Sequence, residues 1–158
     1  MQALNLPDHG VKTMHAPEGD RVFDPIRRRW VALTPEEWVR QHFLNHLVHD
    51  LGWPASRIVV EHVLTLNGLS KRADAVAYDA TGNPMLLLEC KAPHVRPDQR
   101  TAEQAARYNV VFRVPYLVIT NGLVHFGWAI DHASGTVRRL PALPSPDDQS
   151  PFQPNTRT

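Results

Sequence analysis

Four consecutive apolar residues, Met85-Leu86-Leu87-Leu88, run directly into Glu89-Cys90-Lys91. No other stretch of the chain restricts its fold so much. Strand side chains alternate between faces, so a strand that is apolar on both must be covered on both. That is the place of a central strand in a sheet with helices above and below. By the same alternation Glu89 and Lys91 share one face and Cys90 takes the other. Burying a charge pair is costly, so the pair belongs at the open end of the strand.

The flanking sequence supplies the helices. Thr34 is placed to cap a helix, Pro35 suits its first position, and Glu37 completes a capping box. Val39, Phe43, Leu44, Leu47, Val48 and Leu51 then recur at helical spacing until Gly52 and Pro54 end the run. A strand over 57–64 turns at Asn67-Gly68, and a second covers 73–79 before the turn Thr81-Gly82-Asn83. After the central strand come a helix over 97–112, a buried strand over 116–120 and a last strand over 123–130. A helix between the central strand and 116–120 is the connection a parallel pair requires. The expected fold class is α/β, a mixed central β-sheet flanked by helices in the order α-β-β-β-α-β-β. Residues 1–33 read as short extended pieces packing on that domain, 34–140 as its core, and 141–158 as a disordered tail. The tail is rich in proline and polar residues and short of apolar surface to bury.

Composition narrows the setting rather than the function. Seventeen Lys and Arg against sixteen Asp and Glu leave a net charge of +1, which neither demands nor forbids nucleic acid. Cys90 is the sole cysteine, which rules out an intrachain disulfide and suits a reducing cytoplasm. The start, MQALNLPDHG, lacks a secretion signal, and no apolar run nears membrane-spanning length. The expectation is a cytoplasmic protein with no membrane partner.

The chemistry follows from counting along the hairpin. With Asp79 and Met85 flanking the turn, Asp74 meets Glu89 and Lys91 at the far end. Two carboxylates and an ammonium then converge, behind the basic pair Lys71-Arg72. Mg²⁺ is a hard cation that takes oxygen ligands, typically one or two carboxylates with substrate phosphate and water. Asp74, Glu89 and the backbone carbonyl of Cys90 are the candidate ligands, and Mn²⁺ is expected to substitute. Lys91 is placed to orient or deprotonate the attacking water, or to offset charge building on the phosphate. The bland alternative is an exposed strand end. Its position after a buried strand, one hairpin from a matching aspartate, favours the site.

This arrangement resembles the PD-(D/E)XK nuclease superfamily. More narrowly, about Trp30 to Asp131 resembles the nuclease domain at the N-terminus of type I restriction enzyme R subunits, through LTPEEWVRQHFLNHLVHDLGWP, KRADAVAYD, LLLECKAP and EQAARYN. Ala73 stands where the superfamily's proline precedes the aspartate. The resemblance implies a DNA-phosphate or supporting role for Gln104 and Tyr108, which share a helix face, and a metal role for Glu36, whose alternative is helix capping. It also implies DNA, and other restriction-type subunits or a motor protein, as partners. The chain has no phosphate loop for ATP. The expected function is a Mg²⁺-dependent DNA endonuclease or a nuclease module of a restriction-type system. The alternative is a non-catalytic nucleic-acid-binding or assembly subunit that keeps the fold.

Three further signals stand beside these. His42, His46 and His49 lie on one helical face and read as solvated rather than zinc-binding. Cys90 reads as packing. Arg27, Arg28, Arg29, Lys71, Arg72, Arg96 and Arg107 are candidates for phosphate contacts, Lys71 and Arg72 foremost because they lead into Asp74, each with a solvated-surface alternative.

Overall fold

The computed structural model describes residues 1–108, 112–148 and 152, without the side chains of Leu64, Leu66, Gln104, Arg107 and Tyr108. The chain opens with a small antiparallel sheet of β1 (Thr13–Met14), β2 (Arg21–Asp24) and β3 (Arg29–Ala32). Helix α1 (Pro35–His49) follows, and Thr34 Oγ1 accepts the Glu37 amide at 3.0 Å. The capping box is only half formed. The Glu37 carboxylate turns instead to Arg27 and Arg40, because a buried carboxylate gains more from two guanidinium groups than from one cap amide.

The main sheet contains β4 (Ile58–Leu66), β5 (Leu69–Tyr78), β6 (Pro84–Cys90), β7 (Tyr116–Thr120), β8 (His125–Asp131) and β9 (Thr136–Arg139), neighbours in that order. β6 and β7 pair in parallel and the other neighbours antiparallel. Helix α2 (Gln99–Tyr108) connects the parallel pair. It is shorter than the expected 97–112, starting after Asp98, whose Oδ1 accepts the Thr101 amide at 2.9 Å. Residues 109–111 fall outside the described ones. Edge strand β9 has no counterpart in the sequence reading.

Each face of β6 and β7 is covered, as their apolar runs require. Phe43, Leu44 and Leu47 of α1 pack on Leu86, Leu88 and Cys90. Leu87, Leu117 and Ile119 point the other way, to Ala102 of α2, Phe112 and Trp128. Burying each such leucine contributes roughly 1.5–3 kcal/mol, so the centre of the sheet is its most stable part. The open end of β6 is therefore a rigid mount. No helix among the described residues is long and apolar enough to cross a membrane.

The expected disordered tail has to be corrected for residues 141–148. Leu143 and Phe152 pack against the α1-side core, and Pro144 is buried. The Trp53 indole donates to Pro144 O at 3.0 Å, and Ser145 N donates to Asp148 Oδ2 at 2.8 Å. The segment has few apolar residues, yet it covers one of the two buried core tryptophans and satisfies its N–H. His42 also departs from expectation: it is buried, and its ring lies edge-on to Trp38 at 4.2 Å.

Candidate functional site

Pairing places Asp74 and Glu89 together. Ala75 lies opposite Leu88 across β5 and β6, so the next pair outward is Asp74 and Glu89. There the side chain takes over from the ladder: Asp74 Oδ2 accepts the Cys90 amide at 2.6 Å. Glu89 Oε1 is buried with no hydrogen-bond partner. Burial pushes the Glu89 carboxyl up to about 7, and the neighbouring Asp74 charge pushes the same way, against the pull of Lys71 and Lys91. Lys91 follows the strand, half-buried, with its amide on Thr120 O at 2.8 Å. Cys90 faces the α1 core at 1% exposure, and burial raises its thiol well above the ordinary range. It is packing, not a nucleophile.

The sequence reading missed what lies on the other side of Asp74. Arg40 reaches Asp74 Oδ1 at 3.4 Å, Glu61 Oε1 at 3.2 Å and the Glu37 carboxylate through its Nε. Arg27 donates to Asp24 Oδ2 at 2.5 Å, Glu37 Oε1 at 2.6 Å and Glu61 Oε2 at 3.0 Å. Arg27, taken from sequence as a candidate phosphate contact, is thus a largely buried ion-pair partner. Burial acts to lower the Arg40 pKa, but Glu37 and Asp74 outweigh it and hold the guanidinium charged. Glu61 ionises below the usual carboxylate range: burial opposes this, and Arg40, Arg27 and Arg72 overcome it. One signal could have exposed the cluster. Glu37 and Arg40 precede Leu44 and Leu47 at helical spacing, so both sit on the core-facing stripe of α1.

An open cleft of about 280 Å³ is lined by Thr34, Glu36, Glu37, Arg40, Glu61, Arg72 and Asp74. Glu36 is thus at the cleft. Yet among the described residues no group of three His, Cys, Asp or Glu side chains is gathered closely enough to hold a metal ion. That covers His42, His46 and His49 as well; His46 Nδ1 pairs with Asp50 at 2.7 Å. Arg72 bonds Glu61 with most of its side chain in solvent. Lys71 stands close enough to act on Glu89. Gln104 and Tyr108 lie on α2, with side chains outside the described residues.

Comparison with known proteins adds two findings. The family model described as type I restriction enzyme R protein N terminus (HSDR_N) matches residues 35–144. Among solved structures, the chain is similar to a fragment assigned to an HsdR subunit of a type I restriction enzyme from Vibrio vulnificus YJ016. The TM-score is 0.52 and the identity 22%, over 73% of this chain and 24% of that one. The chain therefore spans about a quarter of that structure's length, and at this identity the likeness concerns the fold. No curated protein matches.

Proposed function

The chain belongs to the type I restriction enzyme R protein N-terminus family, and from that premise we propose that it is a metal-dependent DNA endonuclease of the PD-(D/E)XK kind, a nuclease module of a restriction-type system. The observation that carries this reading is the closeness of the Asp74 and Glu89 carboxyls at the end of β6, one acting on the other, with one buried Glu89 oxygen lacking any partner. Two adjacent carboxylates repel each other, and a hydrogen-bond-free buried oxygen is costly. A hard divalent cation relieves both, so the donor set fits Mg²⁺ or Mn²⁺. Asp74, Glu89 and the Cys90 carbonyl would hold it, with Glu36 as the further candidate. Bound there, such an ion polarises the phosphate and acidifies a water.

The chain's own residues do the rest. The Cys90 amide and Arg40 fix the Asp74 carboxylate from two sides. Lys91 brings an ammonium to where negative charge builds on the phosphate. Lys71 and Arg72 lead DNA toward Asp74, and Gln104 and Tyr108 take the DNA-phosphate or supporting role that the family resemblance implies. Other restriction-type subunits or a motor protein would be the partners of this cytoplasmic module. Asp74→Ala and Glu89→Ala should each abolish Mg²⁺-dependent nicking of plasmid DNA and weaken Mn²⁺ binding in calorimetry, with circular dichroism unchanged. Nicking at the parental rate would end this assignment.

A second reading has its own support. Asp74 is already engaged by Arg40 and Cys90, and the described residues gather no three-ligand metal group. A non-catalytic nucleic-acid-binding or assembly subunit that keeps the fold fits those facts. DNA binding by the intact protein without cleavage at any Mg²⁺ or Mn²⁺ concentration would select it.

A further inference from the structure

Three guanidinium groups converge on one carboxylate beside the Asp74–Glu89 pair. Glu61 Oε1 accepts from Arg40 Nη2 at 3.2 Å and from Arg72 Nη2, while Oε2 accepts from Arg27 Nη1 at 3.0 Å. The three arginines come from the β2–β3 turn, α1 and β5. Convergent arginine forks are the usual device for gripping a two-oxygen anion. Glu61 holds its place in a strained backbone, with φ at 53°, a left-handed conformation that residues with a Cβ rarely adopt. The β4–β5 ladder pairs Val60 with Ala75 and His62 with Ala73 but skips Glu61 and Asp74 between them. β4 is an edge strand, so Glu61 can shift without opening the sheet interior.

We infer that Glu61 is an internal stand-in for a phosphodiester, seated in an arginine pocket that takes a DNA backbone phosphate when Glu61 withdraws. A phosphodiester, like a carboxylate, shares one negative charge over two oxygens. The exchange leaves the charge of the cleft unchanged, which matters because Glu36, Glu37 and Asp74 border it too. A dianionic phosphate would meet those carboxylates at a disadvantage. The inference rests on the reading of this cleft as one that meets DNA. It adds a second phosphate position, on the β4 side of Asp74.

The test uses the full chain in EDTA, so cleavage does not enter. Glu61→Ala should bind a short DNA duplex about tenfold more tightly than the parent, the worth of one charge-assisted hydrogen bond. Glu36→Ala removes the same charge without opening the arginine pocket, and its gain should be much smaller. The Glu61→Ala protein should melt below the parent and recover with dimethyl phosphate but not with sodium chloride at equal ionic strength. Combining Arg72→Ala with Glu61→Ala should abolish both effects. Equal gains from Glu36→Ala and Glu61→Ala, or no specific recovery with dimethyl phosphate, would overturn the inference and leave Glu61 a structural ion pair. Where Glu61→Ala fails to fold, Glu61→Gln decides by the same two measurements. Failure of the parent to cut DNA in Mg²⁺ would count against the nuclease reading alone.

Discussion

A carboxyl group held at about 7 is half protonated near neutrality, so a cation settling between Asp74 and Glu89 must displace a proton. Mn²⁺ affinity should therefore fall by up to about tenfold for each pH unit below 7. Calorimetry in buffers of different ionisation enthalpy should register the released proton. The shift also has a stability sign. The folded carboxyl holds its proton more tightly than the unfolded chain, whose ordinary value is 4.5. This contribution is therefore fully present below 4.5 and is lost as pH rises toward and through 7. Glu89→Gln should flatten that slope and raise the melting temperature most above pH 7. A parental slope in Glu89→Gln would assign the dependence to another group. Lys91 supplies a separate test at the same strand end. Lys91→Ala should lose about a hundredfold or more in single-turnover cleavage while Mn²⁺ affinity holds or rises, since a positive charge has left. A parental rate would make Lys91 a strand-end charge only. Loss of the metal would make its role structural.

Among the elements, the segment after Leu140 shows how little apolar surface is needed to dock a strap. Leu143 and Phe152 pack on the α1-side core, and the carbonyl of Pro144 satisfies the Trp53 indole. Trp53 is otherwise fully buried. Truncation after Leu140 should expose its ring, replace the Pro144 acceptor with water and lower stability by about 2–4 kcal/mol. For a domain of this size that is a fall of several degrees in melting temperature, with a red shift in tryptophan emission. An unchanged melting curve would mean that the segment does not hold its place in solution. Helix α1 illustrates the reverse case. Its buried stripe begins with two charged residues, Glu37 and Arg40, which are tolerable there because their forks are filled by Arg27, Glu61 and Asp74.

Across the whole molecule, that ion network couples the small N-terminal sheet to the main one. Arg27 sits in the turn after β2, yet bonds Glu37 on α1 and Glu61 on β4. Farther up the chain, Asn5 N donates to Gly122 O at 2.8 Å, and Leu4 lies so close that a Cβ at Gly122 would approach it to 2.7 Å. Gly122 also adopts φ of 84°, so the backbone favours glycine there whatever room the Leu4 side chain can yield. Deleting residues 1–33 should therefore cost far more than trimming a loose arm. Removing Arg27 alone leaves the buried Asp24 carboxylate without its cation, while Glu37 and Glu61 keep Arg40, about 3–5 kcal/mol by the usual penalty for a broken buried pair. The truncated chain should be molten or insoluble, and Arg27→Ala should lose most of its cooperative unfolding transition. Native-like melting of the 34–158 fragment would show that the main sheet stands alone.

The short-range physics was legible without any structure. Alternation in Met85–Cys90, helical spacing behind Thr34 and the turn at 81–83 are local patterns, and they sufficed to bring Asp74 to Glu89 because a hairpin's register follows from its turn. The sequence alone also placed Cys90 on the face opposite Glu89. The ion network was a different matter. Arg27, Arg40, Glu61 and Asp74 are joined by contacts spanning up to 34 residues, and a charge-pair partner leaves no periodic trace along a chain. The docked 141–148 segment escaped for the same reason: its worth lies in one carbonyl and a few side chains meeting Trp53 and the α1-side core. Local propensity determined most of the elements, edge strand β9 excepted, and the carboxylate pair. Only the tertiary structure decided which charges are buried together, because that depends on which surfaces the packed elements bring face to face.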